Sequence, residues 1–199
     1  MNALARLGRF VRGRSAEERC GLCAGTVGGV HPHLVQVASG KLHCSCPGCA
    51  SVLGHSSGAF RRVPERILEL PELCLTAEDW QGFAIPVGIA FFLRSTPRGG
   101  VVAFYPSPLG AVETSVPDDA WERTRRENPV LESLESDVEA LLVRRGGART
   151  EAFIVPIDEC YGLVGLMRRT WRGFTGGEGV TKAVEEFFGS LRAKSGGRA

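Results

Sequence analysis

Two cysteine pairs set the chemistry of this chain: Cys20-Gly21-Leu22-Cys23 and Cys46-Pro47-Gly48-Cys49, with 22 residues between them. A C-x2-C pair in a tight turn aims two thiolates at one ion while nearby backbone N–H groups bond to the sulfurs. Two such pairs supply a tetrahedral set of four sulfurs, which suits zinc. Gly25 and Gly48 stand where the backbone must be tight. In a reducing compartment, cysteines spaced in this way point to a metal rather than to disulfides. Four thiolates close the coordination sphere, so the ion would be structural, and its binding would help fold a module too small to bury a core of its own.

The segment holds more donors than one tetrahedral ion needs. Cys44 lies two residues before Cys46 in His43-Cys44-Ser45-Cys46, so in a strand it faces the same side. It could replace Cys46 or join a second metal. His31 and His33, in His31-Pro32-His33, are further alternates to a thiolate. An iron–sulfur cluster also takes four cysteines, although neither common ferredoxin spacing is present, and the interleaved histidines of a Rieske centre are absent. Cys74 and Cys160 are lone thiols on apolar stretches and read as inert core residues.

No reaction is legible beside these donors. No histidine follows His55, so a Ser-His-Asp or Cys-His mechanism would have to borrow one from the cysteine-rich segment. No phosphate-cradling or dinucleotide fingerprint occurs. The glycine-rich residues 173–179 could hold an anion at a helix start. Asp158 reads most simply as a helix N-cap. The balance favours a protein that is not an enzyme.

The elements that must position the donors come next. Residues 34–37 and 41–43 suggest two strands around Ser39-Gly40, a zinc-ribbon-like hairpin between the cysteine pairs. Residues 61–70 look like an edge strand because of Pro64. Thr76-Ala77-Glu78-Asp79 resembles a capping sequence for a short helix carrying Trp80. Residues 87–94 and 101–105 predict a hairpin, followed by a strand over 111–116. Pro117-Asp118-Asp119 opens a helix that Asn128-Pro129 closes. Residues 139–145 and 151–156 predict another hairpin, and Cys160, Val164, Met167 and Trp171 share one helical face. Thr175 and Glu178 cap a last helix with the apolar stripe Val180, Val184, Phe187, Phe188 and Leu191.

The expected fold is α+β: a small N-terminal zinc-ribbon-like module, then an antiparallel sheet with helices packed on one face. The expected division is a basic arm over 1–19, a metal-binding module over 20–60, an α+β domain over 61–193 and a tail over 194–199. A hydrophobic content of 43% and a formal charge of +2 describe a folded chain without the basic excess of a nucleic-acid binder. The longest apolar run, residues 85–93, is about half of the ~20 residues a spanning helix needs. The N-terminus lacks the apolar segment of a secretory signal, so a cytoplasmic location is expected.

Several stretches together resemble one family: the cysteine pattern of residues 20–49, IPVGIAFFLRS at 85–95, VVAFYPSPLG at 101–110, NPVLESLESDVEALLV at 128–143 and VPIDECYGLVGLMRRTWRGFTGGE at 155–178. It is an uncharacterised bacterial, mainly actinobacterial, cysteine-rich family encoded beside uptake nickel–iron hydrogenases. The resemblance runs from Cys20 to Leu191 and includes Cys44; one version of the strand motif has an acid where this chain has Gly88. It implies a metal-binding accessory protein, with a hydrogenase subunit or a maturation factor as partner. A small iron–sulfur electron-transfer protein, or a nickel or iron delivery protein using His33 and Cys44, is the alternative.

Overall fold

A computed structural model describes residues 18–56, 58–107, 110–146, 150–171 and 177–196. Most of the basic arm, the cap expected at Thr175, the glycines of 173–176 and the end of the tail lie outside these residues.

The first sheet is built around the expected hairpin. Strands β1 (His33–Gln36) and β2 (Lys41–Cys44) pair antiparallel with His33 opposite Cys44. The turn closes on Gly40, whose N–H donates to the Gln36 carbonyl at 2.8 Å and whose φ of 66° suits glycine. Helix α1 (Pro47–Ser56) follows, and β3 (Phe60–Arg62) adds to the other edge of β1, giving the order β2-β1-β3. Leu34 and Val35 of the central strand are both buried, one for each face. Gly54 lets α1 approach: a Cβ there would stand 3.4 Å from the Leu34 side chain and 3.2 Å from Arg62 Cβ.

The strand expected over residues 61–70 is instead broken in two. β3 stays in the first sheet, while β4 (Leu68–Glu69) pairs with β9 of a second sheet. Pro64 falls in the gap, where its missing N–H interrupts no ladder.

That second sheet has six strands in the order β4-β9-β8-β5-β6-β7, all neighbours antiparallel. They are β5 (Ile89–Ser95), β6 (Gly100–Ser107), β7 (Gly110–Ser115), β8 (Glu139–Arg144) and β9 (Glu151–Pro156), with β4 at one edge. Both expected hairpins, β5–β6 and β8–β9, are present. Register aligns two apolar rows. Phe104, Phe91, Leu142 and Phe153 lie across one face; Ala103, Phe92, Leu141 and Ile154 lie across the other.

Each row has its own helical cover, which corrects the expectation of helices on one face. Helices α4 (Ile157–Thr170) and α5 (Gly177–Gly196) supply Cys160, Leu163, Met167, Val184, Phe188 and Leu191 to the first face. Helices α2 (Ala77–Gly82) and α3 (Asp118–Glu127) supply Trp80, Ala120 and Trp121 to the second, with Leu131 from the 3-10 turn Pro129–Ser133. Continuous burial along β8 and β9, rather than alternation, is the mark of a sheet covered on both sides. The fold is α+β, and no described helix is long and apolar enough to cross a membrane.

The first sheet leans on this body. Val35 and Val63 belong to the same apolar cluster as Phe91, Leu142 and Phe153. Around that seam, Arg61 donates to the Ser136 carbonyl at 2.6 Å. Arg66 grips the fully buried Glu139 carboxylate through two hydrogen bonds of 2.9 and 2.6 Å. The docking brings β1 next to the start of α4, which matters for the histidines.

Candidate metal centre

The first cysteine pair sits in a knuckle. An antiparallel bridge between Arg19 and Thr26 closes its base, and the Cys20 N–H donates to the Gly25 carbonyl at 2.8 Å. The Ala24 N–H returns to the Cys20 carbonyl at 2.9 Å, with Ala24 at a φ of 60°. The knuckle is tied to the hairpin by Gly21, whose N–H donates to the Cys44 carbonyl at 2.8 Å.

The second pair is placed by a helix rather than by a hairpin tip. Cys46 directly precedes α1 and Cys49 lies in its first turn. The Cys49 N–H donates to Cys46 Sγ at 3.4 Å, while the Ala50 N–H meets the Cys46 carbonyl at 3.0 Å. The free amides and positive end of a helix favour thiolate over thiol.

These two local structures converge. The Sγ atoms of Cys20, Cys23, Cys46 and Cys49 all lie within 4.8 Å of one another, with Cys23 and Cys46 3.8 Å apart. All seven cysteines are free thiols. Burial pushes the Cys20 thiol up, but hydrogen bonds from the backbone of Cys46, Cys23 and Leu22 outweigh it and bring it to about 6. Cys49 goes the other way, to about 12, because its thiol is hydrogen-bonded to Cys46 and then to Cys23. Cys20 ionises readily and Cys49 resists, as expected where a second thiolate beside the first would be a like charge without a cation. A divalent ion among them would remove that repulsion.

Cys44 does not join the four. It ends β2, and together with His31 and His33 it forms a separate group whose donor atoms also lie within 4.8 Å of one another. The pairing of β1 with β2 sets His33 beside Cys44. Burial, and then the Glu18 carboxylate, push the Cys44 thiol up. His31 Nδ1 is 2.7 Å from the Gly28 carbonyl, and His33 Nδ1 is 2.7 Å from Asp158 Oδ2. The N-cap of α4 is Pro156, so Asp158 stands inside the first turn and does not cap the helix. Its other oxygen accepts from the Glu159 N–H at 2.9 Å.

Among the described side chains, His43, Cys74 and Cys160 belong to neither cluster. His43 packs edge-on to Phe60 with 5.9 Å between ring centres. Cys160 is wholly buried in the first apolar cluster, as expected of an inert thiol. Cys74 is exposed, a correction to its reading as a core residue; its thiol is pushed up chiefly by a hydrogen bond with Glu127. Leu73 and Leu75 pack against the second apolar cluster, so Cys74 between them faces outward while its N–H meets Asn128 Oδ1 at 2.7 Å.

These features define an α+β protein carrying a four-cysteine cluster that could hold a metal ion. The chain belongs to a family of unknown function, DUF5947, whose profile matches residues 19–195. That match takes in both donor groups and nearly all of α5. No curated protein and no solved structure matches it.

Proposed function

We propose that Cys20, Cys23, Cys46 and Cys49 hold one zinc ion, and that the protein is a zinc-stapled accessory scaffold without catalytic activity. The observation that carries this reading is the meeting of four sulfurs from two segments well separated in the chain, the knuckle and the start of α1. A set of four thiolates suits zinc and leaves it no open position. The stapled unit, taken as residues 20–60, is read as a finger of knuckle, hairpin and helix, and residues 61–193 as the body on which it rests, with β3 (Phe60–Arg62) crossing that boundary to complete the first sheet. The resemblance to a family encoded beside uptake nickel–iron hydrogenases supports a cytoplasmic hydrogenase subunit, or a maturation factor, as the partner.

Purification without oxygen tests the metal. Colourless protein with one zinc per chain, lost in Cys20→Ser and Cys49→Ser, is the expected result. Brown protein with visible absorption would make it an iron–sulfur electron carrier instead. For the partner, tagged protein recovered from its native host should bring down nickel–iron hydrogenase polypeptides; recovery without any of them would remove that assignment.

A further inference from the structure

Cys44, His31 and His33 stand apart from the four thiols, and the hydrogen bonds of the two histidines are specific. Each histidine has its Nδ1 turned to an oxygen: His31 to the Gly28 carbonyl, His33 to the Asp158 carboxylate. An imidazole that donates through Nδ1 presents the lone pair of Nε2. On His31 that Nε2 is buried and has no hydrogen-bond partner, and the side chain is only 7% exposed. A buried polar atom left unsatisfied is costly, so its persistence beside two other donors asks for a ligand. The rings of His31 and His33 meet edge to face, 4.9 Å between centres, and Cys44 faces His33 across the β1–β2 ladder.

We infer that His31, His33 and Cys44 form a second metal site, which takes a divalent first-row transition ion through two imidazole nitrogens and one thiolate. Two nitrogens and a sulfur are a borderline-soft set, suited to zinc, cobalt or nickel rather than to magnesium or calcium. Three protein donors leave a fourth position for water or for a donor brought by a partner, unlike the closed set of four thiols. Asp158 is the positioning residue. Its hydrogen bond fixes the tautomer and tilt of His33 and places a negative charge behind a ligand that would otherwise share a net positive centre. Because Asp158 lies in α4 and His33 in β1, 125 residues apart, the site also clamps the finger to the body. The inference needs no metal at the four thiols.

The test is titration of the full-length, metal-free protein with Co²⁺ under anaerobic conditions. Sulfur-to-cobalt charge-transfer absorption scales with the number of thiolates bound, so the two sites report separately. The wild type should take up two ions per chain. Cys44→Ser and His33→Ala should each take up one and keep the intense four-thiolate spectrum. Asp158→Asn leaves every donor in place and should weaken the second ion by about 10- to 100-fold. Far-UV circular dichroism establishes that each variant is folded. Uptake of a single ion by the wild type, with the four-thiolate spectrum, would overturn the second site while leaving the first reading intact. Unchanged uptake of both ions by Cys44→Ser would overturn it as well.

Discussion

Replacing Cys46 with serine should be felt well beyond the finger. Serine cannot supply the fourth thiolate, and Cys46 Sγ is also the acceptor for the Cys49 N–H. With the staple gone, the first sheet has little to keep it folded: among its described residues only Leu34 and Val35 are buried strand positions. The loss reaches the body, because Val35 and Val63 are members of the cluster under α4 and α5. Removing two valine side chains from that core forfeits about 1.5–3 kcal/mol each, about 3–6 kcal/mol together. For a chain of this size the melting temperature should fall by on the order of 10 °C. Hydrogen exchange then locates the damage. In Cys46→Ser the amides of Leu34 and Val35 should lose protection while those of Phe92, Leu142 and Ile154 keep most of theirs. A variant that melts with the wild type and keeps Leu34 and Val35 protected would refute the coupling of staple to core.

Three other perturbations probe the body itself. Arg66→Ala strands the buried Glu139 carboxylate, leaving it the Glu135 N–H at 2.9 Å. Because the Arg66 side chain is 40% exposed, the cost should fall at the low end for a broken buried pair, about 3 kcal/mol, read by urea unfolding; a change below 1 kcal/mol, on the order of that for a surface pair, contradicts it. Gly88→Ala drives a Cβ into the Arg145 carbonyl oxygen and should destabilise by about 1–3 kcal/mol; a neutral melt would show that the β5–β8 end gives way to it. The Asp79 carboxyl is held below its ordinary value, first by the Thr76 hydroxyl, against burial, and then by the Thr76 amide and Arg123. A depressed carboxylate contributes stability above its unfolded value of about 3.8 and loses it as pH falls through the folded one. Asp79→Asn should therefore flatten the acid limb of the stability profile; an unchanged acid limb counts against that bond.

How far the sequence could be read depended on the range of the interactions. The Thr76 and Asp79 capping box, the helix after Pro117 and the two hairpins rest on neighbours within a few residues, and each is present. The cover on both faces was harder to see, since Phe91-Phe92 and Leu141-Leu142 look alike whether one side or both are buried. Pro64 signalled an edge, yet only tertiary pairing showed that the chain changes sheets there. At the donors, the C-x2-C spacing identified the pairs. The fate of Cys44 turned on β2 ending before α1 begins, which a two-residue alternation cannot foresee. Asp158 was legible only as a helix-start acid, because its partner His33 is remote in the chain.

The scaffold reading depends on two pairs of cysteines sharing one ion. X-ray absorption at the zinc edge, on anaerobically prepared Cys44→Ser protein, isolates that centre from the second donor group. One zinc per chain with an all-sulfur shell at about 2.3 Å is the expected result. A shell containing nitrogen or oxygen, or protein that folds without retaining any metal, would contradict it.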